Sequence, residues 1–308
     1  MDASRPRVVF LGAANVDSFY RVDALPTPGE TVLGSGPVTA VGGKGANQAI
    51  AAARTGVAVR FLGAVGGDGA GERIVRTLEN AGVDVDRLIT LENEPTGRAV
   101  ILVDAQGQNE IIVSPAANGR LTVGHVERFA SAIGEAAVLV VQGEIPTAVT
   151  VAAIGVAERA GVRVVLNLAP YIDLGPVIAC ADPLVLNEVE ATQLLGRPIT
   201  GVESSEAVAE LTRFARSGVV TIGAAGALVV DGGGVAHIPA PLPRHLVDTT
   251  GAGDAFVGVL AAALAGGAAL RESAASAVYA ATESVAVLGA GESYPEFALV
   301  GPSKVVAG

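Results

Sequence analysis

Asp248-Thr249-Thr250-Gly251-Ala252-Gly253-Asp254-Ala255-Phe256, followed directly by the apolar run 257–264, is a turn of small residues feeding a helix. Small residues let successive backbone N–H groups converge on one anion, and the helix N-terminus adds partial positive charge at the same point. Asp254 falls in the first helical turn. A carboxylate there, beside a held phosphate, can accept a substrate hydroxyl proton as the oxygen attacks phosphorus. The same spacing also suits a helix entered from a glycine turn, with Asp254 serving only the helix dipole. Two familiar phosphate binders are excluded. No G-x-x-x-x-G-K-[ST] loop occurs in the chain, and Gly12-Ala13-Ala14-Asn15 lacks the second and third glycines of a dinucleotide fingerprint.

Upstream, Gly42-Gly43-Lys44-Gly45-Ala46-Asn47-Gln48 is a second glycine-rich helix entry. Its glycines permit close backbone approach to a ligand, and Lys44 and Asn47 add polar groups of the kind that hydroxyl-rich ligands need once they leave water. A plain helix entry with a solvated lysine has the same pattern.

Between and around these segments, strand-like and helix-like stretches alternate. Apolar strands are expected at 7–12, 59–65, 138–141, 162–166, 183–186 and 219–222, and helices at 46–54, 71–81, 148–160, 189–195 and 205–217. Strands that are apolar throughout imply a sheet covered on both faces, hence a doubly wound, mostly parallel α/β fold with helices on both sides. Two pieces break the rhythm. Residues 18–41 carry Pro26, Pro28 and Gly29 and then a Thr/Val-rich run; residues 97–113 read as a hairpin around Ala105-Gln106-Gly107-Gln108. They form either a small separate sheet or edge strands of the main one. No internal repeat or linker divides the chain, so residues 1–308 are expected to be one domain.

Half the 308 residues are hydrophobic but only 4% are aromatic, which predicts a core of Ala, Val, Leu and Ile. A net charge of −11 argues against a nucleic-acid partner, which requires clustered Lys and Arg. A single cysteine, Cys180, cannot form an internal disulfide and reads as a small buried hydrophobe. The first residues lack a signal-peptide pattern and no apolar stretch is long enough to span a bilayer, so a cytoplasmic location without membrane contact is expected.

Taken together, the two glycine-rich segments resemble the signatures of the PfkB, or ribokinase-like, carbohydrate kinase family. The C-terminal pattern D-T-x-G-A-G-D is matched by Asp248 to Asp254 at every fixed position. The likeness extends to Gly12-Ala13-Ala14-Asn15-Val16-Asp17, Pro26-Thr27-Pro28-Gly29-Glu30-Thr31 and Asn187-Glu188-Val189-Glu190. It implies an ATP-dependent sugar kinase, with D-ribose the expected acceptor and another sugar, deoxyribose or a nucleoside the alternative. A silent sugar-binding regulator is the third reading, disfavoured because a pure binder needs no base.

The resemblance also implies roles by position. Asp254 would be the catalytic base and Gly251, Ala252 and Gly253 the anion hole. Asn15, Asp17, Gly43, Lys44, Asn47 and Glu144 would bind the sugar. Asn187, Glu190, Thr221, Gly223, Gly226, Gly253 and Val278 would face ATP, with Glu190 reaching magnesium through water. Asp248 and Thr250, with Ser284, Val287, Gly289 and Ser293, would form a potassium loop, so Mg2+ and K+ are both expected. Segments 17–41 and 97–113 would make a β-sheet lid over the sugar and the contact of a homodimer. One departure stands out: Ala224 and Ala225 occupy a nucleotide loop where the family often has Ser and a basic residue.

Overall fold

The computed structural model describes residues 8–299. The first strands and helices are β1 (Val8–Leu11), β2 (Asn15–Val22), β3 (Gly34–Gly42), α1 (Lys44–Ala53), β4 (Val59–Leu62), β5 (Ala64–Gly66) and α2 (Gly69–Asn80). Next come β6 (Val83–Asp84), β7 (Ile89–Leu91), β8 (Gly97–Val103), β9 (Asn109–Ser114), α3 (Val123–Gly134), β10 (Val138–Gln142), α4 (Thr147–Ala160) and β11 (Arg163–Asn167). The chain continues through β12 (Ala181–Asn187), α5 (Glu188–Leu195), α6 (Ser205–Ala209), β13 (Gly218–Thr221), β14 (Ala227–Asp231), β15 (Gly234–Ile238), α7 (Ala252–Ala265) and α8 (Leu270–Ser284).

A nine-stranded sheet runs in the order β15-β14-β13-β12-β11-β10-β1-β4-β6. All its pairs are parallel except the terminal hairpin β13-β14-β15, where the partners are antiparallel. Successive residues of the central strands feed opposite faces, as a strand's two-residue period requires. Val8, Phe10, Val138 and Val140 pack with α1, α2, α7 and α8, while Val9, Leu11, Leu139 and Val141 pack with α3, α4, α5 and α6. The expected two-sided α/β sheet is therefore present.

Local chemistry sets the element ends. Asp68 caps α2 by accepting from Gly71 N–H, and α4 stops at Gly161 in the left-handed conformation. The irregular pieces are not edge strands of the main sheet. They form a separate four-stranded sheet in the order β3-β2-β8-β9. The β8-β9 turn is the expected hairpin, with Asp104 Oδ1 accepting from the N–H groups of Gln106 and Gln108.

Three expectations need correction. The strand foreseen at 59–65 divides into β4 and β5 at Gly63, and β5 leaves the main sheet to pair with β7. The helix foreseen over 205–217 is α6 followed by a 3-10 turn ending at Arg213, because Gly218 already starts β13. Cys180 is half-buried rather than buried. Residue 7 of the first expected strand lies outside the described residues. Among the described residues no helix is long and apolar enough to cross a membrane.

Candidate active site

Strand order reverses at the junction of β1 and β10, and in open parallel sheets ligands bind in the crevice beyond the carboxyl ends of the strands there. The residues that end or follow these strands are polar: Asn15 after β1, Gln142 and Glu144 at β10, Asn167 at β11, Asn187 at β12 and Thr221 at β13. The N-termini of α1 and α7 deliver Lys44, Asn47 and Asp254 to the same side.

Asp254 lies in the first turn of α7 and is 8% exposed. Both carboxylate oxygens are occupied. Asn47 Nδ2 donates to Oδ2 at 3.0 Å, and Gln48 Nε2 donates to Oδ1 at 3.0 Å. Gln48 is fully buried, and its Nε2 also donates to Asn167 Oδ1 at 2.9 Å. Gln142 Nε2 in turn donates to Gln48 Oε1 at 2.7 Å. A buried chain of amides from β10 through α1 thus fixes the orientation of the carboxylate.

In front of it, Gly251 caps α7 with φ 78°, a left-handed conformation that side chains other than glycine adopt at a cost. A Cβ there would also lie 2.4 Å from both Ala290 Cβ and the Tyr294 hydroxyl. Tyr294 Oη donates to Gly251 O at 2.6 Å, and burial together with the nearby Asp254 charge holds its phenol protonated well above the usual range. The first-turn N–H groups of a helix have no intrahelical acceptor. Ala252 N–H turns back to Thr249 O at 3.2 Å, whereas a Cβ on Gly253 would meet nothing within 4 Å, so space for a ligand opens at this point of the turn.

Beside Asp254, Asp17 from β2, Lys44 and Asn47 from α1 and Glu144 after β10 converge, and Asn15 lies two residues before Asp17 on the same face of β2. Asp17 Oδ1 and Asn47 Oδ1 are buried without a hydrogen-bond partner. Burial, reinforced by the Asp254 charge, pushes Asp17 up to about 6. Burial pushes Glu144 up to about 7 against the pull of Lys44, whose backbone N–H donates to Glu144 Oε2 at 2.8 Å. The Asp254 charge raises the Lys44 ammonium above its ordinary value, with Glu144 and Glu190 adding to this and burial opposing it.

On the other side of α7's N-terminus, two cavities adjoin and share Thr221 and Gly253. The smaller is lined by Lys44, Asn187, Glu190 and Asp254. Asn187 and Glu190 form a capping box on α5: Asn187 N–H donates to Glu190 Oε2 at 2.8 Å, and Glu190 N–H donates to Asn187 Oδ1 at 2.9 Å. Burial raises Glu190 above its ordinary value. The larger cavity, about 420 Å3, includes Gly223, Gly226 and Val278 among mainly apolar neighbours such as Phe256, Leu246 and Pro243. Its apolar walls suit a flat heterocycle and its glycine end suits phosphates.

Among the described residues no cluster of three His, Cys, Asp or Glu forms a metal site. The two expected halves of the potassium loop do meet. Asp248 Oδ1 accepts from Thr250 N–H and Oδ2 from Gly289 N–H, each at 2.9 Å. Burial pushes Asp248 up, but these hydrogen bonds hold it below the usual carboxylate range. Ser284 and Val287 lie at the end of α8, where Val287 N–H takes up the Ser284 carbonyl at 3.4 Å, and Ser293 lies in the turn Gly291–Ser293.

A family model described as pfkB family carbohydrate kinase matches residues 5–296. The chain belongs to that family. Members are ATP-dependent phosphotransferases that typically use Mg-ATP. A ribokinase of Schizosaccharomyces pombe is 36% identical, with 94% of each chain covered. A solved structure of Arabidopsis thaliana ribokinase complexed with ribose and ATP is 31% identical, with a TM-score of 0.87 over 95% of this chain and 96% of that one. A bifunctional ribokinase/ribose-5-phosphate isomerase A of Fructilactobacillus sanfranciscensis is 36% identical over 84% of this chain, which spans 48% of that longer protein.

Within this pfkB-family site, the sequence reading missed the buried amides Gln48, Gln142 and Asn167, together with Tyr294 and most of the apolar wall of the larger cavity. No pattern singled out Gln48, which follows the polar Lys44 and Asn47 in the same helix.

Proposed function

We propose that this chain is a ribokinase, transferring the γ-phosphoryl group of ATP to the 5-hydroxyl of D-ribose to give ribose 5-phosphate and ADP. The observation that carries this reading is the pair of buried, unpartnered acceptors, Asp17 Oδ1 and Asn47 Oδ1, beside the ordered carboxylate of Asp254. A buried acceptor without a donor costs about 1–3 kcal/mol, which a sugar hydroxyl would offset. Two such groups, with Lys44 and Glu144 near them, favour a small, hydroxyl-rich acceptor over one with a large apolar face.

In this mechanism Asn15, Asp17, Lys44, Asn47 and Glu144 orient the sugar beside Asp254, with the backbone of Gly43 at the same wall. Asp254 accepts the proton of the attacking hydroxyl. The N–H groups of Gly251 and Gly253 and the α7 N-terminus stabilise charge on the transferring phosphoryl group, and Ala252 N–H, expected to join them, would first have to leave Thr249 O. Asn187, Glu190, Thr221, Gly223, Gly226 and Val278 line the ATP side. Mg2+ carried on ATP would supply charge neutralisation, and Glu190 would hold it through water. A potassium ion held by Asp248, Thr250 and backbone oxygens near Ser284, Val287, Gly289 and Ser293 would stiffen the loop that ends at Gly251.

The small sheet acts as a lid in this reading, excluding water from the transfer. On its Asp17 side Val38, Ile111 and Val113 are 68%, 57% and 54% exposed in the single chain, and a second lid covering them would make a homodimer. The setting proposed for this enzyme is the cytoplasm. The test is an ATP-consumption screen across pentoses, 2-deoxyribose, hexoses and nucleosides, in potassium and in sodium at constant ionic strength. D-ribose should give the highest kcat/KM and potassium the higher rate. Preference for another acceptor overturns the ribose assignment, and equal rates in both salts remove the cation site.

A further inference from the structure

Asn118 sits in the 3-10 turn Ala116–Arg120, where the chain returns from β9 to the main fold, and is 1% exposed. Its amide meets both backbone polar groups of Ala14. Ala14 N–H donates to Asn118 Oδ1 at 3.1 Å, and Asn118 Nδ2 donates to Ala14 O at 3.0 Å. A backbone N–H can only donate and a carbonyl can only accept, so this pair fixes which end of the Asn118 amide is oxygen. The second proton of Nδ2 then faces the Asn15 side chain at 2.9 Å, and the atom it meets must be the acceptor, Oδ1. Asn15 Nδ2 is thereby turned away from Asn118, and it has no partner among the described residues. The contact is tight: a Cβ on Gly97 would lie 2.2 Å from Asn118 Nδ2 and 2.3 Å from Asn15 Oδ1.

We infer that Asn118 is a positioning residue for sugar recognition, locking the Asn15 amide so that it offers a donor to the pocket beside the acceptor Asp17. The inference rests on the reading that Asn15 and Asp17 bind the sugar. Asn15 and Asp17 are two residues apart on β2 and so share a face of the strand. The polarity of the Ala14 backbone N–H and C=O is relayed through two amides into that face. Inverting Asn15 would set two acceptors side by side and leave a sugar oxygen without its donor. Asn118 touches no substrate itself. It also ties the return from the small sheet to the exit of β1, so the donor is set by the same contact that seats this turn.

Asn118→Asp tests this directly. One aspartate oxygen still accepts from Ala14 N–H, but the other now opposes Ala14 O and Asn15 Oδ1, which drives the Asn15 amide to turn over. KM for D-ribose should rise on the order of 10–100-fold, while KM for ATP and kcat at saturating ribose stay within a few-fold. In an Asn15→Ala background the same change should have almost no further effect on the ribose KM, because the residue it acts through is gone. Equal effects of Asn118→Asp in both backgrounds would mean a structural role only and would overturn the inference. An unchanged ribose KM in Asn118→Asp, with Asp17→Ala impaired as expected, overturns it while leaving the sugar site standing; silence of Asp17→Ala as well removes that site. Should the variant not fold, a neutron diffraction structure of the wild-type chain with D-ribose, in which amide deuterons are seen, decides: Asn15 Nδ2 against a sugar oxygen, with Oδ1 on Asn118, supports the assignment, and the opposite orientation refutes it.

Discussion

The two ends of the site are built differently. Around Asp254 most polar groups are already paired: both carboxylate oxygens accept from buried amides, Gln48 bridges to Asn167 and Gln142, and Tyr294 holds the Gly251 carbonyl, with Gln142 Oε1 the buried exception in that amide chain. Around Asp17 the reverse holds, with buried oxygens lacking partners and two carboxyls pushed up to about 6 and about 7. The carboxylate end is held in place before any ligand arrives, and the other keeps its acceptors open. Preorganised groups cost nothing to rearrange when charge develops in a transition state. Unpaired groups instead store a cost that ligand binding relieves. Changes at the first end should therefore appear in kcat, and changes at the second in affinity, pH dependence and the stability of the free protein.

Asp254→Asn is the hardest blow to the Asp254 end. The amide removes the proposed base, and its NH2 group must face either the Asn47 or the Gln48 donor. Turnover should fall by about 10²-fold or more, with ribose affinity measured by calorimetry in the absence of nucleotide staying within a few-fold. Near-normal turnover would end the assignment of the base. Loss of affinity matching the loss of rate would erase the contrast between the two ends.

At the Asp17 end, Asp17→Ala should weaken ribose binding by about 1–3 kcal/mol and leave kcat at saturation nearly intact. In the wild type the ionised carboxylate is the better acceptor, so affinity should decline as pH falls through about 6. That part of the profile should vanish in the variant, whereas the part near 7 belonging to Glu144 should persist. Isothermal titrations from pH 5 to pH 8 would show whether one limb disappears or both remain.

Much of this contrast was legible in the chain. The continuous apolar strands gave a two-sided sheet, and the small residues from Gly251 to Gly253 ahead of Val257 gave the helix entry beside Asp254. Both features are local and repeat within a few residues. The amide network was not legible for a physical reason. Gln48 meets Gln142, Asn167 and Asp254 across 94, 119 and 206 positions, and Asn118 meets Asn15 across 103. An amide carries no charge run, spacing or periodicity that announces such a contact. The 205–217 stretch failed differently: its composition permits a helix to 217, but after the helical turns of 205–213 residues 214–217 bend so that Gly218 pairs with Leu184.

Stability offers a third way to break the comparison, this time without ligand. Asp17 has a folded value raised to about 6 from 3.8, so between these values the folded state holds a proton that the unfolded state has lost. Its contribution to stability is fully present below about 3.8 and is lost as pH rises through about 6. Above that, the free protein carries a poorly solvated charge, which Asp17→Asn removes. The variant should be more stable than the wild type at pH 8 by about 1–3 kcal/mol, a figure that allows for the residue's partial exposure. The advantage should shrink at pH 5. Urea unfolding at both values would reveal it, and a variant less stable than wild type at pH 8 would mean that Asp17 is satisfied in the free protein.

The smallest effect belongs to Tyr294→Phe, at the Asp254 end. The hydroxyl donates to Gly251 O at 2.6 Å, but that carbonyl also accepts from Ala255 N–H at 2.8 Å, so no buried acceptor is orphaned by the change. Only the net value of one hydrogen bond is lost, about 0.5–1.5 kcal/mol. The ring itself stays packed against Phe297, whose centroid lies 5.9 Å away. What the hydroxyl adds is position: it ties the turn that precedes Asp254 to the segment 289–294, which Asp248 also grips through Gly289. If the end around Asp254 acts through preorganisation, removing the tie should lower kcat by about two- to ten-fold. The KM for ribose, set at the other end, should not move. A fall in thermal midpoint with kcat unchanged would mean that the tie serves the fold alone, and a rise in ribose KM would mean that the two ends are one mechanical unit.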